Sequence, residues 1–109
     1  MEGPGGGWLV RVPSTRRERV RGLRGHPPPT RREAMLFQRC RSVHTFGMTR
    51  PIAIVLLDAR MRVVAVQRRR PRSIVWPRRG VRHVLECDVA STVRAGDRFR
   101  PAGPEGRCD

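Results

Sequence analysis

The sequence predicts a mainly β fold, a small jelly-roll-like β-sandwich or barrel with one short N-terminal helix. Three observations predict it. Ile52-Ala53-Ile54-Val55-Leu56-Leu57 and Arg62-Val63-Val64-Ala65-Val66 are β-branched runs joined by the short polar stretch Asp58-Ala59-Arg60-Met61, the pattern of a hairpin. Both faces of each run are apolar, which places this hairpin centrally, covered on two sides. The other apolar runs are short and end at Gly, Pro or Asp, giving six or seven strands in all.

Residues 1–7 are mostly Gly and Pro and read as a flexible N-terminus, residues 8–100 as one β domain, and residues 101–109 as a flexible tail. Trp8-Leu9-Val10-Arg11-Val12 is the first strand, ended by Pro13. Thr15 and Glu18 have capping-box spacing, so one or two helical turns are expected through Arg24. Gly25 and Pro27-Pro28-Pro29 forbid a longer helix. Ala34-Met35-Leu36-Phe37, Ile74-Val75-Trp76 and Val81 to Glu86 are further short strands. Ala95-Gly96-Asp97 is a turn leading into Arg98-Phe99-Arg100.

With 109 residues the chain has room for one small domain. Its mean hydropathy is −0.53. No apolar run approaches the ~20 residues of a spanning helix. The opening segment lacks the basic end and apolar core of a secretion signal, so a cytoplasmic protein is expected.

The charge is the most unusual feature: 24 basic residues against 9 acidic, for a net +15. Such a field draws nucleic acid, anionic surfaces and acidic proteins. Every basic residue is Arg, and Lys, Asn and Tyr are absent. That bias matches GC-rich coding, which explains Arg in place of Lys but not the shortage of Asp and Glu. The densest stretch is Arg68, Arg69, Arg70 and Arg72, followed by Arg78 and Arg79. Guanidinium forks match phosphate oxygens, so these six are candidate anion-binding residues, against the plainer reading of a solvated loop. The five aromatic residues are too few and scattered to form a stacking platform, so any nucleic-acid binding is expected to be mostly backbone contact.

Cys40, Cys87 and Cys108 make an odd count with no C-x-x-C, which argues against a disulfide framework or a zinc site. Cys40, His44 and Met48 are soft donors at intervals of four, a weak alternative for copper(I). A strand would spread them ~13 Å per interval, and no metal or other cofactor is expected. Glu86 is a carboxylate inside an apolar strand, read first as the partner of an Arg and second as a ligand-facing or acid–base group. Ser42 and His44 share a strand face, but no carboxylate completes a triad, and Gly-x-Ser-x-Gly and phosphate-loop fingerprints are missing.

Arg39-Cys40-Arg41-Ser42-Val43-His44-Thr45-Phe46-Gly47-Met48, then Pro51-Ile52, then Val84-Leu85-Glu86 and Gly96-Asp97, resemble the family known as domain of unknown function 192. The upstream Arg19-Val20-Arg21-Gly22-Leu23-Arg24-Gly25 resembles its opening, and the resemblance spans roughly residues 8–100. It implies a compact jelly-roll-type β fold with no established activity; many relatives carry secretion signals. Three positions depart from the family pattern. Ala53 stands where Asp is usual, Met61 where the hairpin turn usually has Gly, and Ala90 near a usual Gly. If the turn needs a left-handed residue, Met61 costs about 1 kcal/mol there, and Met61→Gly would stabilise the fold.

The resulting expectation is a non-catalytic binding or interaction module. Its candidate ligand-binding residues are His44, Thr45, Met48 and Glu86, with Glu86 close to His44 if their strands pair. The alternative is an Arg-mediated polyanion binder, with nucleic acid, an anionic surface or an acidic protein as partner. An enzyme using Glu86 and His44 is the third reading.

Overall fold

The computed structural model describes residues 1–13, 15, 31–40, 43–44, 50–76 and 78–101. The expected helix from Thr15 to Arg24 and the tail beyond residue 101 fall outside these residues, Thr15 and Pro101 excepted. No helix occurs among the described residues.

The described residues form nine strands: β1 (Glu2–Gly3), β2 (Gly6–Gly7), β3 (Leu9–Arg11), β4 (Glu33–Phe37), β5 (Val43–His44), β6 (Ile52–Leu57), β7 (Val63–Arg69), β8 (Ile74–Val75) and β9 (His83–Asp88). Five of them form one sheet in the order β3-β4-β9-β6-β7. β3 runs parallel to β4, and every other neighbouring pair in the sheet is antiparallel. β1–β2 and β5–β8 are separate two-stranded antiparallel ribbons.

Alternation along the central strands divides the core in two. Ala53, Val55, Leu57, Leu85 and Cys87 face one side with Trp8 and Phe99, while Ile52, Ile54, Leu56 and Val84 face the other with Val75 and Val81. All six residues of β6 are at most 1% exposed. This explains its unbroken apolar sequence: a strand with both faces covered has no solvent side on which to place polar residues.

The expected hairpin is therefore correct in its strands and only half correct in its placement. β6 is interior, but β7 is the sheet edge, half-buried through Gln67 and exposed at Arg68 and Arg69. β7 also runs to Arg69, so that two arginines read as loop lie in a strand. Their partners Ala53 and Ile52 on β6 continue the ladder past the last apolar residue. The segment 98–100 makes only isolated bridges, Glu2 with Arg100 and Arg62 with Arg98.

Residues 1–7, read from composition as a loose end, form the β1–β2 hairpin. Glu2 N–H donates to Arg100 O and Arg100 N–H to Glu2 O, both at 2.7 Å. The Trp8 indole N–H donates to Pro4 O at 2.9 Å, and the Trp8 ring meets Phe99 edge-on, centroids 5.1 Å apart and planes at 77°. A β-carbon at Gly3 would fall 2.7 Å from the Phe99 ring, so the chain can cross there only without a side chain.

The β6–β7 turn is built on Asp58, whose Oδ1 accepts the backbone N–H of Arg60 at 2.8 Å and of Arg62 at 2.9 Å. These two donors hold the carboxyl below its usual range, the one from Arg62 contributing most. Met61 in this turn has φ 63°, the left-handed region favoured by Gly. Its side chain is half-buried against the first core. Met61→Gly is therefore expected to raise stability, by less than the ~1 kcal/mol the backbone alone would return, because side-chain packing is given up. A thermal melt checks this; an unchanged or lower midpoint would mean the packing outweighs the strain.

Candidate functional site

The residues expected to bind fall into three groups that the fold treats differently. Thr45 and Met48 lie outside the described residues. His44 is placed by its backbone on β5, in register opposite Ile74, with Val43 opposite Val75. The expected pairing of the His44 strand with that of Glu86 is not found: β5 pairs with β8, and β9 pairs with β4 and β6. The reason is that β9 has no free edge, being paired with β4 on one side and β6 on the other. β5 and β8 each contribute two residues and make a ribbon outside the sheet, where Val75 packs into the second core.

Glu86 lies on β9 in register with Met35 on one side and Ile54 on the other, and it is 4% exposed. By alternation it belongs to the same face as Val84 and the second core. A carboxylate at this depth must be hydrogen-bonded, and among the described residues no buried side-chain nitrogen or oxygen lacks a partner. Cys40 is half-buried against the same core. Among the described residues no group of three or more His, Cys, Asp or Glu could hold a metal ion.

The arginine stretch divides. Arg68 Nε donates to Val89 O at 2.9 Å and its Nη2 to Ser91 O at 2.6 Å, reaching past Ala53, its register partner, to fasten the loop after β9. It acts as a clamp, two of its five N–H groups engaging backbone carbonyls. Arg69 donates through Nε to Gln67 Oε1 at 3.1 Å and through Nη2 to the same oxygen. Arg70, Arg72, Arg78 and Arg79 are all exposed. Arg72 has φ 62°, and Ser73 Oγ donates to Arg70 O at 2.7 Å, so this connection is a defined turn. Val81 N–H closes a second turn onto Arg78 O at 3.1 Å.

Between those two turns stands a residue that sequence reasoning passed over. Trp76 is 73% exposed, and Ile74, two residues earlier on β8, is 43% exposed. The period of two explains both. Val75 must point into the second core, so its neighbours point away from it. The available signal was this local one, a Trp flanked by Arg72 and Arg78, rather than the scatter of aromatics over the whole chain. The His44 segment and the arginine stretch, separate in sequence, thus meet at one ribbon.

Beside Trp8 of the first core, a cleft of about 360 Å³ is lined by Pro4, Gly5, Trp8, Arg31, Arg32, Ser91 and Thr92. The Arg32 guanidinium crosses it to the carbonyl of Gly5. No helix among the described residues is long and apolar enough to cross a membrane.

A family model described as Uncharacterized ACR, DUF192, matches residues 3–100. Two solved structures share the fold. One is a protein of unknown function from Novosphingobium aromaticivorans DSM 12444, with TM-score 0.68 and 16% identity, covering 84% of this chain and 73% of that one. The other, provisionally described as a transcription regulator, is from Sinorhizobium meliloti 1021, with TM-score 0.72 and 21% identity, covering 89% of this chain and 86% of that one. At these identities the likeness concerns the fold alone. No curated protein matches the chain.

Proposed function

Because the chain belongs to the DUF192 family, a fold with no established activity attached, we propose a function from its own surface: a non-catalytic module that binds single-stranded nucleic acid on the outer side of the β5–β8 ribbon. The observation that carries this is Trp76, 73% exposed and flanked in the chain by the exposed Arg70, Arg72, Arg78 and Arg79. An indole left in water gives up its burial energy, and a base stacked on it recovers that energy without regard to sequence. The guanidinium groups on either side supply phosphate contacts, and the net charge of +15 supplies long-range attraction. Arg68 is not counted among these contacts, since its guanidinium is held against the Val89 and Ser91 carbonyls.

Fluorescence anisotropy of a labelled random single strand of about 30 nucleotides tests the proposal. Four phosphate contacts predict a salt slope near −2.8, a loss of about 50-fold in affinity between about 50 and 200 mM salt. Trp76→Ala removes a stacking contact worth about 1–3 kcal/mol and should weaken binding by about 5- to 150-fold, with little change in that slope. Equal binding by wild type and Trp76→Ala would overturn the proposal, as would affinity that ignores salt.

A further inference from the structure

A second set of arginines, widely separated in sequence, meets at the turn end of the sheet. Asp58 N–H donates to Arg62 O at 3.0 Å, which sets Arg62 beside Asp58 across the hairpin. On its outer side Arg62 forms an antiparallel bridge with Arg98. Leu57 is in register with His83, and Arg82 N–H donates to Leu57 O at 2.7 Å, which sets Arg82 on the other side of Asp58. Arg39 follows, its backbone N–H donating to Nδ1 of His83 at 3.0 Å. Five successive segments thus present Arg39, Arg82, Asp58, Arg62 and Arg98 abreast. At ~4.8 Å between neighbouring strands this row is about 19 Å long. All four arginines are exposed, and Arg98 directs one of its five N–H groups, Nε–H, to Arg60 O at 3.3 Å.

Three features mark the row as more than solvated surface. Arg62 and Arg98 are directly opposite, and like charges so placed destabilise a strand pair. The carboxylate within the row is already engaged by the backbone N–H groups of Arg60 and Arg62. Two non-glycine residues beside it, Arg39 at φ 53° and Met61 at φ 63°, hold left-handed backbone, a strain retained where the surroundings demand a fixed shape. His83 adds a neutral donor. With Nδ1 accepting from Arg39, its ring proton sits on Nε2. Burial, then the charges of Arg82 and Arg39, press its pKa below the usual value and keep it uncharged at neutral pH.

We propose that this row is a second contact for a linear phosphate chain, continuing the path that begins at Trp76 and reaches Arg82 just after Arg78 and Arg79. The inference rests on the reading of the ribbon as a polyanion surface, and it extends the ligand to one long enough to touch both. The phosphodiester backbone of a single strand has this chemistry, and so does inorganic polyphosphate.

The test compares the full-length wild type with the double variant Arg62→Ala/Arg98→Ala, measuring binding of the labelled single strand against salt and of inorganic polyphosphate by competition. With the row engaged, the wild-type slope is steeper than the roughly −2.8 of the ribbon's four contacts; loss of two phosphate contacts should make it shallower by about 1.4, whereas Trp76→Ala leaves it in place. Without ligand, the double variant should melt close to wild type, since relief of the like-charge pair offsets the lost Arg98–Arg60 bond and the lost attraction of Arg62 for Asp58. A row that acts on polyphosphate but not on the DNA strand supports the phosphate-chain site and assigns it to the free polymer. Wild-type binding with an unchanged slope in the variant, on both probes, overturns the row and leaves the ribbon standing. No wild-type binding to either probe overturns both.

Discussion

Phe99→Ala is expected to cost about 3–5 kcal/mol, the range for removing a fully buried aromatic ring. Phe99 is 1% exposed and belongs to no strand. It nevertheless joins three parts of the fold. Its ring receives the edge of Trp8 and covers the backbone at Gly3, so it holds the N-terminal hairpin. Its own N–H donates to Met61 O at 3.0 Å, so it also braces the β6–β7 turn. Its side chain closes the first core over the central strands. A domain of this size has about 5–15 kcal/mol in total, so the loss would consume about a fifth of it or more. Urea unfolding reads the effect as a lower midpoint with an unchanged slope. A loss under about 1 kcal/mol would mean that the N-terminal hairpin is held by its backbone bonds alone. The Trp8–Phe99 pair itself should show a coupling of about 0.5–1.5 kcal/mol in a double-mutant cycle.

The second large effect is alkaline. Cys87 is fully buried, and burial pushes its thiol up from 9.0 to about 11. The Ser91 hydroxyl bond opposes this in part, while the Asp88 and Glu86 charges add to it and Arg68 subtracts. The sign follows from which state ionises first. The unfolded thiol loses its proton near 9.0 and the folded one only near 11, so the unfolded chain alone gains from ionisation in that window. Stability is complete below pH 9.0 and falls as the pH rises to about 11, by about 3 kcal/mol. The chain has no Lys and no Tyr, and comparison with Cys87→Ala separates this thiol from those of Cys40 and Cys108. Unfolding midpoints followed from about pH 8 to about 11 should slope downward for wild type and run much flatter for Cys87→Ala. Parallel curves for the two would show that Cys87 is not the titrating group.

Much of the fold is legible in the residues themselves. β6 could be read because an unbroken run of β-branched and aliphatic residues suits only a strand covered on both faces, and it is covered on both. The turn at Asp58–Met61 could be read from its polar interruption, while the left-handed backbone at Met61 was suggested by the family resemblance, in which Gly is usual there. β7 was read short because Arg68 and Arg69 break the apolar pattern. Its ladder to Ala53 and Ile52 continues regardless, since backbone pairing does not depend on what the side chains carry. The N-terminal hairpin was illegible because Gly-rich segments take their conformation from what they pack against, here Trp8 and Phe99.

The candidate site was legible only in its ingredients. Composition placed an excess of positive charge on the chain, and spacing picked out the cluster from Arg68 to Arg79. Which arginine binds within the fold and which faces water is a matter of contacts far apart in sequence. Arg68 is held against the loop at Val89 and Ser91, while Arg82, Arg62 and Arg98 are brought abreast by strand order alone. The sequence by itself determined the class of fold, the central strand and the sign of the surface field, because hydrophobic pattern and net charge are local or additive properties. Only the tertiary structure decided that Glu86 is buried, that Trp76 is exposed and that the arginines form a row, because each depends on which segments lie side by side.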